Sequence, residues 1–166
     1  ASFTVTTNNP AEGNQCIEFS SQSNGANRSP SFTAVTSGIC YFRVRQSDTS
    51  TPTVGGGGMF YFDNATPEAI FRVEVAAGYV KLIGTTTVNI VAASNSTWYP
   101  IAVEVDTGTD QARAKAYTGG AWGSWTSWVG ITASNGVVYV RLARSSDWAY
   151  TIAFDGITPT DPFLPI

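Results

Sequence analysis

The sequence predicts an all-β fold in which two antiparallel sheets stack as a sandwich. Apolar and polar residues alternate with period two along most of the chain, as Phe71, Val73 and Val75 do with their polar neighbours. No window shows a sustained helical period, and clusters of Gly, Asn, Asp and Ser separate the alternating runs. Because a strand with one apolar face must bury that face against a second sheet, the pattern indicates a sandwich.

The alternation predicts the individual strands in chain order. They are expected at residues 2–7, 16–20, 31–36, 39–46, 59–63, 69–75, 79–83, 86–92, 98–106, 111–117, 122–128, 137–144 and 149–155.

Turn residues support several of these boundaries. Ala77-Gly78 gives a tight connection, and Asn135-Gly136 is a strong signal for a type I′ hairpin. Short connections favour antiparallel pairing, since parallel strands need long crossovers. Residues 20–30 and 47–58 are rich in small and polar residues, and the second stretch contains Gly55 to Gly58, so both are predicted to be surface loops.

Length and charge limit the function classes. A chain of 166 residues suits one domain over 1–166. Its net charge is −3 and its Lys and Arg residues are scattered singly, so nucleic acid is not an expected partner. No apolar run is long enough to span a bilayer, so membrane insertion is not expected.

Two cysteines, Cys16 and Cys40, each lie in a predicted strand. A disulfide between neighbouring strands would close a loop of roughly 25 residues and contribute about 3 kcal/mol. The alternative is a pair of buried free thiols. We expect the disulfide, and with it an extracellular or surface-exposed location. Because the chain has no histidine, the usual zinc sites and the histidine-activated nucleophiles are excluded.

Several alternating segments together carry a family resemblance. They include Phe60-Tyr61-Phe62, the segment over 98–106 that opens with the pair Trp98-Tyr99, and the closing segment over 150–157. The stretch from Met59 to Tyr117 resembles the concanavalin A-like, laminin-G-like jelly-roll superfamily. The resemblance implies two stacked antiparallel sheets, one of them concave. It is compatible with lectins, carbohydrate-binding modules, polysaccharide-degrading enzymes, adhesins and virion proteins.

The resemblance also raises the question of catalysis. Some glucanases of this superfamily carry Glu-x-Asp-x-x-Glu on one strand, and Glu104 and Asp106 begin that spacing. Thr109 stands where the second glutamate should be, and a retaining glycosidase needs two carboxyl groups about 5 Å apart. Polysaccharide lyases of this fold typically use Tyr with His, Arg and Gln, and this chain has no histidine. We therefore expect no enzyme activity, with a lyase or a glycosidase as the lesser alternative.

A glycan-binding surface is predicted from the polar residues that alternate with the core residues of the middle strands, and from the tryptophans. Arginine can donate paired hydrogen bonds to sugar hydroxyls or carboxylates, and tyrosine and tryptophan can stack on sugar rings. The expected site lies on the concave sheet and includes Arg43, Arg45, Tyr61, Arg72, Tyr79, Lys81, Trp122 and Trp148. The alternative is an exposed, salt-bridged sheet in which Glu74 and Asp63 pair with the arginines.

The tryptophans themselves are only partly placed by the pattern. If residues 122–128 form a strand, Trp122 and Trp128 share one face and Trp125 takes the other. We expect at least one tryptophan to be exposed and most of them to lie in the core.

The jelly-roll resemblance also implies a possible structural calcium ion. Such modules hold calcium between an acidic residue on an early strand and another on the last, and Glu18 and Asp155 match those positions. The alternative is that Asp155-Gly156 simply forms a turn. No other cofactor is expected. The tail over 158–166 is expected to fold back on its own sandwich, or else to contact a neighbouring subunit or domain.

Together these expectations describe a secreted or surface-exposed, non-catalytic domain. It is predicted to bind polysaccharide or another glycan, or to mediate adhesion, through its concave sheet. The alternative is a structural subunit of a virion, appendage or extracellular filament, which contacts copies of itself.

Overall fold

The computed structural model describes residues 4–6, 16–19, 25–50, 57–66, 68–144, 151–156 and 163–164. Within these residues the secondary structure consists of strands: β1 (Thr4–Thr6), β2 (Cys16–Phe19), β3 (Gly25–Arg28), β4 (Ser37–Gln46), β5 (Gly58–Asp63), β6 (Ala69–Ala76), β7 (Tyr79–Ile83), β8 (Thr87–Ala92), β9 (Tyr99–Asp106), β10 (Gln111–Thr118), β11 (Ala121–Trp122), β12 (Val129–Gly130), β13 (Tyr139–Arg144), β14 (Ile152–Asp155) and β15 (Phe163–Leu164).

The strands form two antiparallel sheets, as the alternation predicts. Sheet 1 has the order β1-β2-β14-β4-β9-β10-β11, with β12 also beside β10 and β15 also beside β4. Sheet 2 has the order β3-β13-β5-β6-β7-β8. The pairing of β15 with β4 brings this part of the tail back to its own sandwich, as expected. In the described part of the chain, no helix is long and apolar enough to cross a membrane.

The core lies between the two sheets and is built from the apolar phase of each strand. Phe42 of sheet 1 stacks on Phe60 of sheet 2, with their ring centroids 4.0 Å apart. Phe154 of sheet 1 also meets Phe60, edge-on at 6.0 Å. All three side chains are buried, so aromatic contacts join the two sheets at the centre of the sandwich.

Two predicted segments between β2 and β4 differ from the structure. Residues 25–28, expected in a loop, form β3 because they pair along the edge of β13, and this long-range pairing outweighs weak local strand propensity. Residues 31–36, expected as a strand, make only one isolated bridge, between Val35 and Val137. The N–H groups of Phe32 and Val35 donate to the carbonyls of Val138 and Val137, so three residues of this segment pass for one of its partner and no regular ladder forms.

The expected disulfide between Cys16 and Cys40 is wrong. Strand β14 lies between β2 and β4, which places the two cysteine strands two spacings, or about 10 Å, apart. A disulfide cannot reach between Cα atoms more than about 7 Å apart. Cys40 is a free thiol, fully buried, and its burial raises the pKa of the thiol. The side chain of Cys16 lies outside the described residues.

We predict that Cys40 resists alkylation in the native protein and reacts once the chain is unfolded, without any reductant. A buried thiol with a raised pKa offers little thiolate to the reagent. Peptide mass mapping after labelling in buffer and in denaturant measures the difference. An unlabelled Cys40 in denaturant, labelled only after reduction, would contradict the structure.

The described part of the glycine run, Gly57 and Gly58, is closely packed against neighbouring strands. A Cβ at Gly57 would overlap the backbone carbonyl oxygen of Val75, and one at Gly58 would overlap the side chain of Ile152. Gly58 begins β5 in sheet 2, whereas Ile152 lies on β14 in sheet 1, so the missing side chain lets the two sheets approach. These two glycines are therefore required for close packing, and were wrongly assigned to a surface loop.

Candidate functional site

The outer face of sheet 1 carries a row of outward-facing side chains on β10, of which Tyr117 is exposed and the other two are partly exposed. The alanines at 112, 114 and 116 are buried in the core, so Arg113, Lys115 and Tyr117 lie on the opposite face. Lys115 pairs with Ala102 on β9, and Ala102 pairs in turn with Tyr41 on β4. Lys115, Ala102 and Tyr41 thus form a row across three strands, in which the small Ala102 lies between the cation and the aromatic ring.

A tryptophan-rich segment runs beside β10 with an unusual register. The N–H of Gly123 donates to the carbonyl of Ala116 at 2.9 Å, and the N–H of Thr126 donates to that of Ala114 at 2.8 Å. Val129 of β12 then pairs with Ala112. The segment therefore advances three residues for every two of β10, which is equivalent to a bulge in each step.

This register places all three tryptophans against the same cationic row. Trp122, Trp125 and Trp128 each contact Arg113 or Lys115. The expectation that Trp125 lies on the face opposite its neighbours is wrong, because residues 123–128 are not a regular strand.

Cations and indole rings alternate along the segment. The ammonium nitrogen of Lys115 lies 5.4 Å from the ring centroid of Trp122 and 4.4 Å from that of Trp125. The guanidinium carbon of Arg113 lies 4.9 Å from the centroid of Trp125 and 4.4 Å from that of Trp128. These distances are typical of cation–π interactions, which hold the side chains in one arrangement.

Four aromatic side chains of this region are exposed to solvent. The exposed fractions are 39% for Tyr41, 38% for Tyr117, and 40% for both Trp122 and Trp128. Tyr41 and Tyr117 both meet Trp122 edge-on, at 5.8 and 5.6 Å between centroids. We call the surface formed by Tyr41, Arg113, Lys115, Tyr117, Trp122, Trp125 and Trp128 the aromatic face.

A shallow cavity of about 140 Å³ adjoins the aromatic face, and Tyr41, Arg43, Pro100 and Trp122 are among its lining residues. A wider cavity of about 560 Å³ lies elsewhere, among residues 64–66, 107–110 and 133–136. Its lining contains no aromatic residue and one charged residue, Asp110. We favour the aromatic face as the functional site because contiguous exposed aromatic surface is unusual unless it binds something.

The described tryptophans are less buried than expected. Trp122 and Trp128 are exposed, and Trp98 and Trp125 are partly exposed. The prediction that at least one is exposed is confirmed. The prediction that most lie in the core is wrong for these four, because the tryptophans on the aromatic face cover charged side chains instead of filling the space between the sheets.

The predicted glycan-binding residues do not share one surface. Arg43 and Arg45 lie on sheet 1, and the guanidinium of Arg45 is 5.1 Å from the ring of Trp98. Trp122 also lies on sheet 1, on β11, whereas four others lie on sheet 2, and they are Tyr61, Arg72, Tyr79 and Lys81. The expectation of a single face is therefore wrong, because period two shows which residues point outward but not which sheet a strand joins. Trp148 lies outside the described residues.

On sheet 2 the arginines are bound by buried carboxylates. Asp63 has no exposed surface, and it accepts two hydrogen bonds from Arg141, at 2.7 and 3.1 Å, and one from Arg28 at 3.4 Å. The equally buried Glu74 accepts one from Arg72 at 3.0 Å. Of the predicted arginines on sheet 2, Arg72 therefore forms the salt bridge with Glu74 that the alternative expected, whereas Asp63 pairs with Arg141 and Arg28, which were not among the predicted residues.

Tyr61 lies inside this network. The guanidinium carbons of Arg141 and Arg72 are 3.9 and 5.7 Å from its ring centroid, and its hydroxyl donates to the sulfur of Met59 at 2.9 Å. Burial is the main cause that raises the pKa of Tyr61, although both arginines oppose it. A tyrosine that removes a proton from substrate benefits from a lowered pKa, so Tyr61 is poorly suited to be a lyase base.

The two carboxylates of the glucanase-like spacing hold the local structure. Glu104 accepts a hydrogen bond from Arg113 at 2.6 Å. Asp106 accepts one from the N–H of Gly108 at 2.9 Å and one from that of Thr109 at 3.3 Å, so it closes the turn after β9. The contacts of both carboxylates agree with a structural role.

For the predicted calcium site, the structure shows the backbone positions of both residues but the side chain of only one. Glu18 pairs with Ala153 on β14, two residues from Asp155, and the Glu18 side chain lies outside the described residues. Asp155 accepts a hydrogen bond from the N–H of Gly156 at 2.6 Å, which is a turn contact. Among the described residues no group of three His, Cys, Asp or Glu side chains could hold a metal ion. Calcium binding stays a prediction.

Most of the aromatic face was missed in the sequence. Of its members, only Trp122 was among the predicted site residues. Two signals could have identified others: the Trp-x-x-Trp-x-x-Trp spacing, and the strict alternation of alanine with Arg113, Lys115 and Tyr117 on β10.

No protein-family model and no curated protein sequence matches the chain. Solved structures do match it. A sialidase superposes with a TM-score of 0.64 at 9% identity over 87% of this chain, which spans only 15% of the sialidase. A carbohydrate esterase, vb_24B_21 from Shiga toxin-encoding bacteriophage phi24B, gives 0.56 at 11% identity over 93% of this chain and 84% of the esterase.

A third match is the catalytic domain of a glycoside hydrolase family 131 protein from Coprinopsis cinerea. Its TM-score is 0.54 at 10% identity, over 93% of this chain and 75% of that domain. At such low identity these likenesses show the fold alone. The chain has a concanavalin A-like jelly-roll fold, as its sequence resemblance implies.

Proposed function

We propose that this chain is a non-catalytic domain that binds glycan through the aromatic face. The observation that carries the proposal is the exposed cluster of Tyr41, Tyr117 and Trp122 beside a shallow cavity. Sugar rings have apolar C–H faces that pack on aromatic rings, while the polar edges of tyrosine and tryptophan stay hydrated. The carbohydrate-related names of the three similar structures support the same ligand class.

The aromatic face is also held in place before any ligand binds. Tyr117 donates a hydrogen bond from its hydroxyl to the carbonyl of Gly120 at 2.8 Å. Trp122 is held by its two tyrosine neighbours and by Lys115. Side chains that are already ordered lose little conformational entropy on binding, which favours affinity for a weak ligand such as a sugar.

The absence of catalysis is part of the proposal. Glu104 and Asp106 are engaged in structural contacts, and Tyr61 has a raised pKa. Since a glycoside hydrolase and an esterase share the fold, hydrolysis is the alternative that activity assays on the same glycans must exclude.

We predict that Trp122→Ala weakens binding to any glycan found by array screening by about tenfold or more. Stacking of a nucleic-acid base on one aromatic side chain contributes about 1–3 kcal/mol, and a tenfold loss corresponds to about 1.4 kcal/mol. Calorimetric titration measures the affinity. The matched control is Tyr79→Ala, which removes an equally exposed aromatic residue, 39% accessible, from sheet 2.

Unchanged affinity in Trp122→Ala, or an equal loss in Tyr79→Ala, would refute the proposed site. Size-exclusion chromatography of the same proteins tests the structural-subunit alternative, in which the aromatic face contacts a second copy. Oligomers that form without sugar and dissociate on Trp122→Ala would favour that alternative.

A further inference from the structure

We propose that the aromatic face selects acidic glycans, and that Lys115 binds the sugar carboxylate. The inference rests on the proposed function and specifies its ligand class. It starts from a difference between the two cations of the face. Arg113 is paired with Glu104 at 2.6 Å, whereas Lys115 forms no salt bridge within the described part of the chain.

The residues directly opposite Lys115 carry no negative charge, and the diagonal carboxylate on β9, Glu104, is bound to Arg113. The cross-strand partner of Lys115 on β9 is Ala102, and the residue beyond that on β4 is Tyr41. Its described contacts are the rings of Trp122 and Trp125. The row Tyr41, Ala102 and Lys115 therefore carries one positive charge and no negative one, on a chain whose net charge is −3.

The contacts of Lys115 position its charge without using its hydrogen-bond donors. A cation–π contact holds an ammonium group electrostatically, and all three N–H groups remain available to a ligand. The flanking indole rings exclude part of the water, and charge pairs are weakened less by solvent in such surroundings than on an open surface. A carboxylate is the complementary group.

The geometry connects this charge to the stacking platform. Trp122 contacts Lys115, and it also lines the shallow cavity together with Tyr41. A sugar ring on the exposed part of Trp122 is therefore held close to the ammonium group. Uronic and sialic acids carry a carboxylate directly on the ring, which suits one aromatic contact combined with one charged contact.

Matched pairs of acidic and neutral glycans test the inference. Suitable probes are hexagalacturonate and sialyllactose, each compared with its own methyl ester, because each pair differs mainly in the charge. We expect at least one acid to bind tenfold or more tightly than its neutral partner, and the preference to shrink as salt is raised. Lys115→Gln should abolish the preference and Lys115→Arg should retain it. Lys81→Gln, on sheet 2, should leave it unchanged.

The outcomes separate the two proposals. Equal binding of acid and neutral partners, or a preference that survives Lys115→Gln, overturns the acidic selectivity while the glycan site stands. If no probe pair and no array glycan binds, both proposals fail.

Discussion

Asp63→Asn is expected to lower the free energy of unfolding by about 3 kcal/mol or more. Asp63 is fully buried on sheet 2 and neutralises Arg141 through two hydrogen bonds, with Arg28 as a second partner. Removing one partner of a buried ion pair leaves the other charge uncompensated, which typically costs about 3–5 kcal/mol. The Arg141 side chain keeps 21% of its surface exposed, so we expect the lower part of that range.

Urea unfolding followed by circular dichroism measures this loss. Glu68→Gln is the matched control, because Glu68 is exposed and its removal should change stability by no more than about 0.5 kcal/mol. Equal stabilities for the two variants would mean that the network on sheet 2 does not hold the strands together.

Gly57→Ala is the second substitution with a large expected effect. The added Cβ would overlap the carbonyl oxygen of Val75, and Val75 cannot move away freely because it pairs with Gly58 on one side and Val80 on the other. Overpacking in a core usually lowers the free energy of unfolding by about 1–3 kcal/mol. Because this clash involves backbone that is paired on both sides, we expect a loss at the upper end of that range or beyond.

Thermal unfolding compares this variant with Gly123→Ala, whose nearest atom to the added Cβ is the Ala116 carbonyl oxygen at 3.4 Å. We expect a midpoint lower by many degrees for Gly57→Ala, or failure to fold, and a nearly unchanged midpoint for Gly123→Ala. Similar midpoints would contradict the close approach of β5 and β6 at this position.

The sequence was sufficient to predict the two-sheet architecture and most strands. Strand β7 was predicted with its observed bounds, and β9 within one residue, because burial of one phase makes the alternation strict. The same alternation placed Arg43 and Tyr61 in the outward phase correctly. It could not show that they lie on opposite sheets, since sheet membership depends on hydrogen bonds between distant segments.

The prediction of a disulfide was wrong for the same reason. Two cysteines in strand-like segments are compatible with a bridge, but β14, which comes more than 100 residues later in the chain, inserts between β2 and β4. Nothing local to Cys16 or Cys40 indicates that insertion.

The tryptophans of the aromatic face were misplaced because their backbone does not follow period two. The extra residue in each step beside β10 gives Trp122, Trp125 and Trp128 the same orientation, whereas a regular strand would separate them. The spacing of three was visible in the sequence, but its meaning depends on the partner strand.

Mapping a bound glycan by NMR tests the central claim most directly. In a titration of isotope-labelled protein with the best glycan from the array, we expect the largest shifts at the indole N–H signals of Trp122, Trp125 and Trp128. Signals from the outer face of sheet 2, around Tyr61 and Lys81, should stay almost unchanged. The largest shifts on sheet 2, or around the wider cavity at residues 133–136, would contradict the assignment of glycan binding to the aromatic face.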